Sequence, residues 1–159
     1  MTDMIDSQRG DTVSRVILAA PRALYRAHLD REMMANWRVP DGMRAEMLAF
    51  DGRLGGGYRV ALHSRDDGLE LLGKSGPGIY RFSGTFEQLV PDEKIVERVQ
   101  FETSDPAFAQ IMTITTTLRA VRDGTKVMIE ATHVPAAISS KDRHAGMTCA
   151  LRKLAMLTE

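Results

Sequence analysis

Cysteine is nearly missing from this chain. Cys149 is the only one, so no intrachain disulfide can form. Aromatic residues are scarce at 6%, with Trp37 the single tryptophan, so aliphatic side chains and the ten methionines must fill the apolar space. Methionine suits irregular core gaps and adapts to varied ligands. Neither sign of charge is in excess, with Lys plus Arg and Asp plus Glu at 21 each. That balance argues against a broad footprint for nucleic acid or an anionic membrane. No apolar run approaches a membrane span. The polar start, Met1 to Gly10, is unlike a secretory signal. A cytoplasmic protein is therefore expected. Repeats, low-complexity tracts and linkers are also missing, so residues 1–159 read as one domain with 1–10 as a flexible tail.

Catalytic and metal signatures are equally sparse. There is no Gly-x-Ser-x-Gly elbow, and Ser75 has no base within sequence reach. No metal is expected, because His28, His63, His133 and His144 form no close pair and no His-Glu-x-x-His or Cys-x-x-Cys spacing exists. No cofactor is implied. The glycines from Gly52 to Gly57 precede a strand, whereas a phosphate cradle needs a following helix, so a bulged turn is expected there. Cys149 lies on the far side of its helix from the apolar stripe, beside Arg152 and Lys153 by spacing. A small semi-buried residue is the plain reading of it.

What is present is mostly strand and turn. Asp11–Ala20 is β-branched and is stopped by Pro21, which suits a helix start. Leu24, Tyr25, His28 and Leu29 form one short helical face, where His28 reads as a satisfied buried histidine. Asp30 can cap a second short helix carrying Met33, Met34 and Trp37. Strands are expected at 44–50, 54–62, 79–90, 94–103, 110–121 and 125–134, with a long loop over 63–78 and a hairpin turn at Asp123-Gly124. Ser139–Thr158 is the one strong long-helix signal, with Met147, Leu151, Leu154 and Thr158 on a stripe and Ser139 as its cap. Strands first and a long helix last predict an α+β fold. A sheet of about six to seven antiparallel strands would curl around that helix.

Alternation assigns the strand faces. Ile95, Glu97, Val99 and Phe101 share one face. So do Met112, Ile114, Thr116 and Leu118, and likewise Val127, Ile129, Ala131 and His133. Arg81 and Glu87 lie opposite Tyr80, Phe82 and Phe86. Apolar walls with a few polar groups fit a small-ligand pocket, and they also fit an ordinary sheet core. His133 and His144 are placed at a pocket mouth, where a neutral imidazole can bind a polar group or move a proton.

The order of elements, with several short motifs, resembles the helix-grip fold of START-like proteins, the polyketide cyclase and lipid-transport superfamily. The branch it looks like is named after activators of a heat-shock chaperone ATPase. The motifs are Ala20-Pro21, Trp37-Arg38-Val39-Pro40, Gly55-Gly56-Gly57-Tyr58, Gly84-Thr85-Phe86-Glu87, Val90-Pro91-Asp92-Glu93, Gly124-Thr125 and His144-Ala145-Gly146-Met147. They span roughly residues 12–157. Two positions depart from the pattern: Arg38 stands where many relatives have a second aromatic, and Met147 where many have Trp. The founding chaperone activators carry an additional domain, and this chain resembles only their START-like part.

The resemblance and the strand faces together lead to a small hydrophobic or amphipathic ligand held between sheet and C-terminal helix. The expected contacts are Trp37, Tyr58, Phe82, Met112, Ile114, Thr116, His133, His144, Met147 and Leu151. A second reading is an enzyme of polyketide cyclase or dehydratase type, pairing His133 with Glu130 or Arg81. No catalytic motif supports it, and alternation turns Glu130 away from His133. A third is an interaction module acting on a chaperone. Superfamily members can pair, which makes a homodimer the guess for assembly.

Overall fold

The computed structural model describes residues 10–64 and 79–159. In chain order the elements are β1 (Gly10–Ile17), α1 (Pro21–Leu29), α2 (Arg31–Trp37), β2 (Met43–Phe50), β3 (Gly57–Ser64), β4 (Ile79–Val90), β5 (Lys94–Phe101), β6 (Met112–Val121), β7 (Gly124–Thr132) and α3 (Ser140–Thr158). A short 3-10 turn, Pro106–Phe108, lies between β5 and β6. The seven strands form one curved sheet in the order β1-β7-β6-β5-β4-β3-β2. Every pairing is antiparallel. This is the expected α+β helix-grip arrangement. The expected loop beyond Ser64 and the expected N-terminal tail before Gly10 lie outside the described residues. Among the described residues no helix is long and apolar enough to cross a membrane.

The helices begin where the sequence signals say. Pro21 occupies the first turn of α1. Asp30 caps α2 by accepting from the Met33 N–H at 2.9 Å. Ser139 caps α3 by accepting from the Asp142 N–H at 3.1 Å. The α3 stripe buries Leu151, Leu154 and Ala155. The indole N–H of Trp37 donates to the Ala27 carbonyl at 2.8 Å and ties α2 to α1.

Strand ends depart from expectation where side chains or glycine compete with the ladder. The first strand stops at Ile17 rather than Ala20. Beyond it the Leu18 N–H donates to Glu159 at 3.0 Å and the Ala19 carbonyl accepts from Thr125 at 2.7 Å. The strand expected from Leu54 starts at Gly57, because Gly55 adopts φ +81° and turns the chain. Gly84 has a different role: a Cβ there would sit 2.3 Å from the Tyr58 ring, so the missing side chain lets the hydroxyl end of that ring approach β4 closely. The last strand ends at Thr132, two residues early, because His133 takes a left-handed φ of 59°.

Candidate ligand-binding site

Register builds the floor of the site. Glu97, Ile114 and Ala131 pair successively across β5, β6 and β7 and form one row. Ile95, Thr116 and Ile129 form the next, and Val99 with Met112 a third. Above these rows runs α3. Between them lies a cavity of about 190 Å³. Phe101, Met112, Ile114, Thr116, Ile129 and Ala131 line it from the sheet, and Trp37 and Arg38 from the end of α2. Gly146, Met147 and Ala150 line it from α3, while Val134, Ile138, Asp142 and Arg143 complete the rim. Gly146 lies within a helix, where glycine costs stability. A Cβ there would meet nothing within 4 Å, so no neighbour demands it, and its absence leaves the rim open.

The polar end of the cavity is a buried charge cluster. Glu97 is 0% exposed yet charged by residue type. Its Oε1 accepts from Arg38 Nη1 at 3.0 Å and from the Tyr58 hydroxyl at 2.6 Å. Arg38 Nη2 also donates to the Tyr58 oxygen at 3.2 Å. The guanidinium lies 5.1 Å from the Trp37 ring centre and 5.5 Å from that of Tyr58, within cation–π range of both. Burial works against the charge on Arg38, but Glu97 and Tyr58 outweigh it and hold its pKa above the ordinary arginine value. Burial, with the negative charge of Glu97, pushes the Tyr58 phenol well above its usual range, so it stays a neutral donor.

Behind Trp37 sits His28, fully buried, its ring centre 4.7 Å from the indole. Its Nδ1 lies 2.8 Å from the Leu24 carbonyl. A carbonyl only accepts, so Nδ1 carries the proton and Nε2 is a lone pair. That Nε2, like Glu97 Oε2, has no partner among the described residues. His28 is thus only half satisfied.

The sequence model of the family described as Activator of Hsp90 ATPase homolog 1-like protein matches residues 18–159. The chain belongs to that family. Among solved structures similar to this family member is protein CV1439 from Chromobacterium violaceum, 29% identical, with a TM-score of 0.82 over 94% of this chain and 96% of that one. The Mll3558 protein from Rhizobium loti is 26% identical, with a TM-score of 0.72 and the same coverage, 94% and 96%. No protein of curated function matches the chain. The family's helix-grip fold is that of ligand-binding and polyketide cyclase-like proteins.

The structure brings five of the expected contacts to the cavity of this family member: Trp37, Met112, Ile114, Thr116 and Met147. It does not bring the other five. Tyr58 is buried beneath the cavity, held by Glu97 and Arg38. Phe82 is buried outside the lining, edge-on to Tyr58 at 6.1 Å. His133 is exposed, because its left-handed φ breaks the alternation that would have turned it inward. His144 is exposed and Leu151 buried, and both border a separate cleft formed with β1. The mouth expected between His133 and His144 therefore does not form, and the pairing of His133 with the exposed Glu130 has no inward geometry. Among the described residues, wider depressions of about 480 and 510 Å³ lie elsewhere. Their walls carry many exposed polar residues, so the smaller apolar cavity is the better ligand site.

Sequence reasoning missed the pairing of Arg38 with Glu97. A signal existed: Glu97 sits at an inward position between Ile95 and Val99, and a buried carboxylate requires a partner of opposite charge. Which of the basic residues would answer it is set by the fold. Among the described residues no group of three His, Cys, Asp or Glu side chains could hold a metal ion.

His28 carries a testable pH dependence. Burial is the main cause that lowers its pKa from the ordinary 6.5, with Glu97 opposing and Arg38 adding to the fall. The unfolded chain then takes up a proton near pH 6.5 that the folded chain refuses. Stability is therefore greatest above that pH and declines as pH falls toward the folded-state value, by at most about 1.4 kcal/mol per pH unit. Urea unfolding at about pH 7.5 and 5.5 should show this decline, and His28→Leu should flatten it. An equal decline in the variant would assign the effect to other groups.

Proposed function

We propose that this chain binds a small hydrophobic or amphipathic molecule in the cavity between the sheet and α3. The observation that carries the reading is an apolar space of about 190 Å³ beneath a helix that could have closed on the sheet. The scale is telling: an apolar cavity of about 150 Å³ takes benzene, whereas drug-sized ligands need about 300 Å³ or more. A one-ring molecule fits, and a long lipid or a multi-ring polyketide does not fit within that volume. Burial of its apolar surface would drive binding, at about 25 cal/mol per Å² before association costs.

Two measurements test this. Native mass spectrometry of protein isolated from its own host should reveal a co-purifying small molecule. Separately, Met147→Trp should fill the cavity, block binding of a one-ring hydrocarbon and change stability by less than about 1 kcal/mol. Overpacking a full core would instead cost about 1–3 kcal/mol. A cost in that range, with no hydrocarbon bound by the parent protein, would overturn the reading. The family's description suggests a chaperone role, which would act through an outer surface. In that case Met147→Trp would leave stimulation of the chaperone ATPase intact.

A further inference from the structure

The polar end of the cavity defines the ligand more closely, on the understanding that the cavity binds one at all. We infer that Arg38 is its recognition residue, and that the ligand is a neutral one-ring molecule bearing a carbonyl acceptor.

Recognition depends on free hydrogen-bonding capacity. A guanidinium has five N–H donors. Arg38 spends one on Glu97 and one on Tyr58, which leaves donors to spare. It lines the cavity, and its side chain keeps 13% of its exposure. Arg143 and Glu97 offer less. Arg143 is engaged by Asp11 and by the Ile138 carbonyl, both at 3.2 Å. Glu97 already accepts twice on Oε1, and its unpartnered Oε2 is sealed from solvent. Arg38 thus brings spare donors to a cavity that it lines.

Charge then selects among acceptors. The lining charges cancel, Arg38 and Arg143 against Glu97 and Asp142. A carboxylate docking on Arg38 would stand close to Glu97, itself only 3.0 Å from the same guanidinium. Like charges in an apolar surround repel strongly. A carbonyl accepts the hydrogen bond and adds no charge. The contacts of Arg38 with the Trp37 and Tyr58 rings, and its bonds to Glu97 and Tyr58, hold the fork before binding, which reduces the ordering cost.

The test uses three probes with the same number of heavy atoms: acetophenone, cumene and benzoate. Their affinities are measured by calorimetry on the parent protein and on the double variant Arg38→Met with Glu97→Gln, which removes both charges together. Acetophenone should lose about tenfold or more in the variant, the effect of one hydrogen bond to a charged donor. Cumene should change by less than about twofold, and benzoate should bind the parent about tenfold or more weaker than acetophenone. An unchanged acetophenone affinity, or tighter benzoate, overturns the role of Arg38 while cumene binding keeps the cavity reading. Failure of both cumene and acetophenone to bind the parent overturns both. If the double variant does not fold, the parent decides by NMR. Nuclear Overhauser contacts should join acetophenone to the Arg38 side chain, and their appearance only on other cavity residues would overturn the assignment.

Discussion

Glu97→Leu should cost about 3–5 kcal/mol of stability, because it leaves a buried cation without its counter-charge. Arg38 packs beside the Trp37 and Tyr58 rings with only 13% of its side chain exposed, so water is a poor replacement for the lost carboxylate. The Tyr58 hydroxyl would lose its acceptor at the same time. The double variant Arg38→Met with Glu97→Gln should behave quite differently. It removes both charges, and the carbonyl of the introduced amide would still accept from Tyr58. Replacing a buried ion pair by neutral groups of similar size is often nearly neutral for stability, so the double variant should lie within about 1–2 kcal/mol of the parent. Chemical denaturation of the single and double variants tests this directly. A double variant as unstable as Glu97→Leu would mean that the cluster acts through packing rather than charge.

Trp37→Ala should cost about 3–5 kcal/mol, the range for deleting a large buried aromatic. Trp37 is 2% exposed and makes three contacts at once. It anchors α1 through the Ala27 carbonyl, packs edge-on against His28 and supports Arg38. It is also a wall of the cavity, so its loss enlarges that space. A two-ring hydrocarbon such as naphthalene should then raise the melting temperature of Trp37→Ala and leave that of the parent unchanged. Stabilisation of the parent to the same extent would show that Trp37 does not limit ligand size.

Five of the ten expected contacts face the cavity, and the division follows a physical rule. Met112, Ile114 and Thr116 lie inside one uninterrupted strand, where alternation is reliable. Trp37 and Met147 lie on helical faces set by clear caps. His133 failed because it sits one residue past the end of β7, where a single left-handed residue reverses the side chain. Tyr58 and Phe82 are buried as alternation requires, yet neither reaches the lining of the space. Alternation reports a face and says nothing of depth. His144 shows the matching limit for helices: a residue at the edge of a stripe can fall to either side, and here it fell toward β1.

From the sequence alone came the α+β class, the strand and helix order, the helix caps and the inward place of Glu97. These depend on local periodicity and on groups a few residues apart, which a linear pattern records. The tertiary structure decided the rest. It chose Arg38 as the partner of Glu97 across 59 positions of chain, and it left a gap beneath Met147 and Gly146 instead of closing it. Both outcomes depend on how distant surfaces meet. An ion pair is legible only when both ends are placed in space, and an empty volume belongs to no residue.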